Sequence, residues 1–151
     1  MTAHGKMTEA LRVRVAFADT DAMGVAWHGN YLRWFEMART ELLRGTELPY
    51  SAMVERGVHL PLIEALVRYR RPARYDDELV VLTATSRPGG VRLRVDYRIE
   101  CGGALIAEGH TEHAFTDAAG RVRRPPPDVV ELFARLGARH AHPGGHDEHE
   151  R

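Results

Sequence analysis

Hydrophobic and polar residues alternate along two stretches of the chain in the way that is typical of half-buried β-strands. Near the start, LRVRVAF places Leu11, Val13 and Val15 on one face and arginines on the other. The clearest alternation is VRLRVDYRIE, residues 91–100, where apolar residues occupy every second position. A period of two puts these side chains on one face of a sheet, so both stretches are predicted to be strands with one buried face.

A helical spacing of apolar residues predicts a long helix from about Asn30 to Arg44. Asn30 is a candidate N-cap, and Gly45 is a candidate helix end. Apolar residues cover so much of the circumference of this helix that a curved sheet is expected to wrap round it. A short helix is predicted within PYSAMVERG, and a further one begins near Asp128.

The remaining strands follow the long helix, and the fold class is therefore α+β. Alternation continues through LIEALVRY, and three further strands are separated by the glycine turns PGG and CGG. Consecutive strands joined by tight turns favour an antiparallel sheet. One domain is expected over residues 9–137, with an N-terminal tail at 1–8 and a disordered, histidine-rich C-terminal tail at 138–151.

Composition narrows the classes of function. The 21 Lys and Arg residues balance the 21 Asp and Glu residues, so no broad cationic field would attract nucleic acid. Cys101 is the only cysteine, which excludes an intrachain disulfide and fits a reducing compartment. No segment approaches the roughly 18 apolar residues of a spanning helix, so a cytoplasmic location without a membrane span is expected. The tail histidines match no zinc-ligand spacing, and no metal is expected.

The segment between the first strand and the long helix, residues 19–30, concentrates residues that can perform chemistry. It contains Asp19, Asp21, Gly24 and His28. Free backbone N–H groups at a helix start can hold an oxyanion, and a nearby carboxylate can attack a carbonyl or activate water. Turn and capping chemistry also accounts for an aspartate-rich loop before a helix, and the spacing alone favours that simpler interpretation.

A longer motif bears on this choice. The run FADTDAMGVAWHGNYLRWFEMARTELLR, residues 17–44, resembles the signature of hotdog-fold acyl-CoA thioesterases of the 4-hydroxybenzoyl-CoA thioesterase type, in particular its YbgC-like branch. RYRRPARYDDELVV, residues 68–81, resembles the next landmark of that family, a strand that ends in a proline-containing corner and a paired acid. The resemblance covers residues 9–137 and implies a hotdog fold, a curved antiparallel sheet wrapped around one long central helix.

The resemblance implies roles for residues that match the family motif. Asp21 falls at the catalytic carboxylate, which acts as nucleophile or general base. His28 falls at the start of the central helix, where a backbone N–H polarises the thioester carbonyl, and its imidazole is a candidate for a hydrogen bond or proton transfer. Asp19 matches a structural acid. In the 4-hydroxybenzoyl enzyme the position of His28 is a tyrosine, so that enzyme's particular substrate is not implied.

Substrate binding is expected around the same loop and at one more distant turn. The expected substrate-binding residues are Tyr31, Gly24, Trp27, Arg87, Arg92 and Arg94. Tyr31 matches a tyrosine of the motif and is expected to line the pocket. The three arginines are candidates for the phosphates of coenzyme A, and the alternative is that they lie on solvated strand faces.

The function implied is hydrolysis of an acyl-CoA thioester to a free acid and coenzyme A, without a metal or redox cofactor. The family also implies homodimers joined edge to edge through their sheets, often paired into tetramers. Two alternatives remain open: an enzyme acting on acyl carrier protein thioesters, and a non-catalytic module that binds acyl thioesters. The length of the acyl chain depends on which of Met23, Trp27, Trp34 and Leu60 point into the pocket.

Overall fold

The computed structural model describes residues 7–87 and 90–140, with only the backbone for residues 137–140. The elements are β1 (Thr8–Arg14), α1 (Asn30–Arg44), α2 (Tyr50–Glu55), β2 (Leu62–Tyr69), β3 (Glu78–Ser86), β4 (Arg92–Cys101), β5 (Ala104–Ala114) and α3 (Pro127–His140). Each predicted helix and strand is therefore present. No helix in the described ranges is long and apolar enough to cross a membrane.

The five strands form one antiparallel sheet in the order β1-β3-β4-β5-β2, so β1 and β2 are its edges. Helix α1 contacts both edge strands. It also contacts the middle of the sheet, because the ring of Phe35 stacks on that of Tyr97 in β4 with 4.1 Å between ring centroids. A helix that contacts both edges and the centre requires the sheet to curl round it. The predicted α+β class with a sheet wrapped round one long helix is confirmed.

The two faces of the sheet differ sharply in polarity. Side chains that point towards α1 from β3 and β4 are buried, and they are Leu79, Val81, Thr83, Thr85, Leu93, Val95, Tyr97 and Ile99. The opposite face carries ion pairs between neighbouring strands or along one strand, and these are Arg92–Glu112, Arg94–Asp96, Arg94–Glu112 and Arg98–Glu100. The alternation read from residues 91–100 thus separates a core face from a charged face.

A chain of polar side chains runs through the core beneath α1. Arg39 Nη1 donates to the Tyr97 hydroxyl at 3.0 Å, and this hydroxyl lies 2.8 Å from Thr111 Oγ1. Thr111 Oγ1 lies 3.0 Å from His113 Nε2, and His113 Nδ1 lies 3.1 Å from the carbonyl oxygen of Leu60. Since a carbonyl only accepts, the proton of neutral His113 belongs on Nδ1, and each hydroxyl then donates towards Nε2. The two hydroxyls and the Nδ1–H of His113 then each have an acceptor.

Two local expectations need comment. The prediction that Asn30 caps α1 is wrong: Gly29 occupies the cap position without a side-chain hydrogen bond, and Asn30 is the first helical residue. The Asn30 amide instead donates to the carbonyl oxygen of Asp19 at 2.7 Å. At the other end of the chain, α3 continues to His140, beyond the predicted domain boundary at 137. The rest of the predicted tail, 141–151, lies outside the described residues, as do residues 1–6 and 88–89.

Candidate active site

The loop between β1 and α1 folds into a small hairpin that is attached to the segment before β3. Thr20 and Ala26 form an isolated antiparallel bridge, and Gly24 at its tip has φ +80°, which favours glycine. The neighbouring Val25 forms a second bridge with Arg74. The Ala26 N–H donates to the carbonyl oxygen of Ala73 at 2.8 Å. These backbone bonds fix the position of the loop relative to the sheet.

Asp19 holds the base of this hairpin. Its carboxylate accepts hydrogen bonds from the Ala16 N–H at 2.8 Å and from Arg33 Nη2 at 2.7 Å, and its side chain is only 14% exposed. Its carbonyl oxygen accepts hydrogen bonds from the Trp27 N–H and the Asn30 amide. Both oxygen-bearing groups of Asp19 therefore serve the loop, which is the structural role that the family motif implies.

Only one of the two carboxylate oxygens of Asp21 accepts a hydrogen bond from a described residue. Its Oδ1 accepts a hydrogen bond from the Met23 N–H at 2.8 Å, which closes an Asx turn. Its Oδ2 has no protein hydrogen-bond partner within residues 7–87 and 90–140. The turn thus orients the carboxylate and leaves one of its oxygens available to a water molecule or a substrate.

The start of α1 presents two consecutive backbone donors. Within the described ranges, no acceptor lies in hydrogen-bond geometry with the N–H of His28 or of Gly29. The carbonyl ends of the same two peptide groups are held: Trp27 O accepts from the Asn30 N–H at 2.9 Å, and His28 O accepts from the Tyr69 hydroxyl at 2.9 Å. Because a peptide group is planar, fixing its carbonyl fixes the direction of its N–H. Donors of this kind at a helix start are suited to an oxyanion.

Tyr69 is a residue of this site that the sequence patterns do not reveal. It lies at the end of β2, 41 residues from His28 along the chain. Its ring packs edge-on against Tyr31 with 5.0 Å between centroids. Burial raises the pKa of Tyr69 above its ordinary value, so its hydroxyl stays protonated and donates. No local signal links the two positions, because the contact depends on where the edge strand lies.

An open cleft of about 260 Å³ adjoins the helix start. Its lining residues are Val25, Ala26, His28, Tyr31, Tyr69, Arg70, Arg71 and Pro72. The ring of Trp27 is 51% exposed and lies beside the His28 ring, with 5.0 Å between centroids. It also covers Gly29, where a Cβ atom would collide with it, so only glycine allows this approach. Of the predicted site residues, His28 and Tyr31 line the cleft, and the ring of Trp27 lies beside that of His28.

The other predicted site residues lie elsewhere in the single chain. Asp21 belongs to the same hairpin as Gly24 but does not line the cleft. Arg92 and Arg94 lie on the charged outer face of β4, and Arg87 lies at the end of β3, where its Nη2 approaches the Gly90 carbonyl oxygen at 3.5 Å. The structure therefore does not bring these three arginines to the helix start.

Residues expected to set the depth of an acyl pocket are also dispersed. Trp34 is fully buried in the core, and Met23 is 81% exposed at the tip of the loop hairpin. Leu60 lines a second cavity of about 240 Å³, which lies along the C-terminal half of α1 beside Arg39 and Phe133. Within the described ranges, no group of three His, Cys, Asp or Glu side chains is placed to hold a metal ion.

Comparisons with known proteins agree with this architecture. Residues 15–133 match the family model described as the thioesterase-like superfamily. The chain is 32% identical over 127 residues to the acyl-CoA thioesterase YbgC of Haemophilus influenzae, with 82% of this chain and 93% of the relative covered. It is 32% identical over 129 residues to the 1,4-dihydroxy-2-naphthoyl-CoA hydrolase of Synechococcus elongatus, with 82% and 93% covered. A solved structure of a hypothetical protein from Thermus thermophilus is similar with a TM-score of 0.81 at 34% identity, covering 85% of this chain and 99% of the other.

Proposed function

Because the chain belongs to the thioesterase-like superfamily, we propose that it is a thioester hydrolase that converts acyl-CoA and water to a free carboxylic acid and coenzyme A. The resemblance of residues 17–44 to the YbgC-like thioesterases is confirmed by these relatives. One structural observation supports the proposal most directly. The N–H groups of His28 and Gly29 have no protein acceptor among the described residues, and His28 lines the open cleft beside the start of α1.

The proposed mechanism uses two parts of the loop. The thioester carbonyl is polarised by the free N–H groups at the start of α1, which hold the negative charge that develops on its oxygen. Asp21 either attacks the carbonyl carbon or takes a proton from an attacking water, using the oxygen that the Asx turn leaves free. A thioester is less stabilised by resonance than an ester, so a carboxylate and an oxyanion site suffice without a serine triad. The C–S bond breaks, and the thiolate of coenzyme A leaves and takes up a proton.

Substitution of Asp21 by Asn tests this mechanism. We expect kcat/KM for acyl-CoA substrates to fall at least about 100-fold, since general bases contribute factors of this size and larger. Asp117→Asn is a matched control, because Asp117 Oδ1 also accepts backbone N–H bonds in a turn, at 2.9 Å from Ala119 and Arg121, but Asp117 lies outside the loop. We expect it to retain activity. Equal activity of wild type and Asp21→Asn in a thiol-release assay would exclude the role of Asp21.

The same assay separates the alternatives. Hydrolysis of acyl carrier protein thioesters but not of any acyl-CoA would indicate the protein-bound substrate. Tight binding of acyl-CoA without release of thiol by the wild type would indicate a non-catalytic binding module. A single turnover in water labelled with ¹⁸O tests the nucleophilic role of Asp21. Label enters Asp21 only if its carboxylate attacks the thioester and water then opens the mixed anhydride at the Asp21 carbonyl carbon.

We also propose that two copies of the chain pair through β2. This strand is an edge of the sheet, and Leu62, Ile63 and Tyr69 on it are 54%, 48% and 50% exposed. An exposed, apolar edge strand is suited to pair with a second copy of itself. Light scattering of the wild type and of Ile63→Lys tests this: we expect a dimer or tetramer for the former and a monomer for the latter. A monomeric wild type would refute the pairing.

A further inference from the structure

We propose that Arg71 and Arg74, together with the rings of Phe17 and Tyr75, bind the nucleotide end of coenzyme A. The inference rests on the proposed function, since it concerns how the same cleft recognises the carrier of the acyl group. It assigns the phosphates to arginines of the segment between β2 and β3 instead of the arginines near the turn that follows β3.

Two of the arginines in this segment are free to bind an anion. Arg71 lines the cleft beside His28, and both Arg71 and Arg74 are exposed. Neither guanidinium has an ion pair or a hydrogen bond to any residue in the ranges 7–87 and 90–140. Arg70, by contrast, is bound to Glu108 at 2.8 Å. An unpaired guanidinium at the border of a cleft can bind a phosphate with charge-assisted hydrogen bonds, without first leaving a carboxylate.

The arginines on β4 are less suited to this task. Arg92 is 3.2 Å from Glu112, and Arg94 contacts both Glu112 and Asp96. These contacts lie on the face of the sheet opposite α1 and its N-terminus. A phosphate would have to displace the carboxylates to reach these guanidinium groups, and it would meet their negative charge at close range.

The aromatic pair adds a feature that suits adenine. Phe17 is 78% exposed and Tyr75 is 58% exposed, and their rings meet edge to face with 6.1 Å between centroids. Tyr75 follows Arg74 directly, and the backbone of Arg74 bridges Val25 in the loop hairpin. Exposed aromatic rings can stack on a nucleobase, and the unpaired Arg74, next to Tyr75 in the sequence, can bind its phosphates. Adenine is present in coenzyme A and absent from a phosphopantetheine arm, so these rings favour the small carrier over a carrier protein.

Kinetics with whole and truncated carriers test the proposal. For the double variant Arg71→Ala/Arg74→Ala, we expect kcat/KM to fall about 10- to 100-fold with acyl-CoA, the loss for removing charge-assisted hydrogen bonds. We expect a change below about 2-fold with the N-acetylcysteamine thioester of the same acid, which has the same carbonyl and no phosphate. Tyr75→Ala is expected to lose about 5-fold or more with acyl-CoA and little with acyl-phosphopantetheine. Arg121→Ala removes one exposed arginine outside this segment and is the control for the loss of a single positive charge.

Several other results would count against the proposal. Equal losses with acyl-CoA and with the N-acetylcysteamine thioester would show that the arginines support the fold or the chemistry and not the carrier. A loss confined to acyl carrier protein thioesters would assign them to a protein partner. If the wild type hydrolyses no thioester, the proposed function fails, and calorimetry with coenzyme A then tests the inference alone. Binding by wild type that the double variant weakens about 10-fold or more supports it, whereas absent or unchanged binding overturns it.

Discussion

Acidification tests the buried chain of hydrogen bonds that ends at His113. This side chain is 1% exposed, and burial, with a smaller contribution from the nearby charge of Arg39, lowers its pKa from 6.5 to about 4. Its Nε2 is the acceptor at the end of the chain through Tyr97 and Thr111. Protonation would place a second donor opposite the Thr111 hydroxyl, so that the donors no longer all have acceptors.

The size of the effect follows from the two pKa values. The unfolded chain, with an ordinary histidine pKa of about 6.5, binds this proton more readily than the folded one, so stability rises with pH between about 4 and 6.5. A shift from 6.5 to about 4 corresponds to about 3 kcal/mol when complete. Between pH 7 and pH 5 we expect His113 alone to remove about 2 kcal/mol from the free energy of unfolding. This window lies largely above the range in which carboxylates titrate.

Urea unfolding at a series of pH values measures this slope. The free energy of unfolding of the wild type is expected to fall by about 2 kcal/mol between pH 7 and pH 5. That of His113→Gln is expected to fall much less over the same interval. His110→Gln is the control, because His110 pairs with Glu64 on the outer face of the sheet and not in the core. Nitrogen NMR of the imidazole gives a second measurement that needs no variant. A His113 ring already half protonated above pH 6 would refute the reasoning.

Two further predictions concern positions where a single atom matters. Tyr69→Phe removes the hydroxyl that donates to the His28 carbonyl and keeps the ring. We expect kcat to fall about 3- to 10-fold and KM to change less than about 2-fold. Tyr50→Phe, at an exposed tyrosine of α2, is the control and is expected to leave both constants unchanged. An unaltered kcat in Tyr69→Phe would show that this hydrogen bond does not organise the helix start. In urea unfolding, Gly109→Ala is expected to lower the free energy of unfolding by about 1–3 kcal/mol, because the added Cβ would collide with the backbone of β2. Gly45→Ala is the control, because a Cβ atom at Gly45 meets open space, and it is expected to stay within about 1 kcal/mol of wild type.

Local patterns predict most of the elements because each pattern reports which face of an element is buried. The alternation in residues 91–100 already separates Leu93 from Arg92 and Arg94, and the structure places them on opposite faces of the sheet. The same alternation argues against these arginines as ligands at the helix start. The order of strands in the sheet is a non-local property, so neither the edge position of β2 nor the contact of Tyr69 with His28 could be read from the chain.

The start of α1 is a second case in which a local pattern misses a contact between residues that are separated in the sequence. Asn30 has the residue type and position of an N-cap, yet its amide donates to a carbonyl 11 residues earlier. That carbonyl lies within reach only because the loop folds back on itself. The carboxylate of Asp19 stabilises this loop conformation through its hydrogen bonds with Ala16 and Arg33. The family motif indicates this loop as a candidate site, whereas the free N–H groups at the helix start depend on contacts that the motif does not describe.

The hydrogen bond from Tyr69 to the helix start links the site to the edge of the sheet. The strand that carries this hydroxyl, β2, is one of the two edge strands of the sheet. Pairing of that edge with a second copy would stiffen the strand and, through one hydroxyl, the peptide group at the helix start. Activity per chain would then depend on enzyme concentration. Diluting the enzyme below the dissociation constant of the dimer should lower its specific activity, and the loss should reverse on concentration.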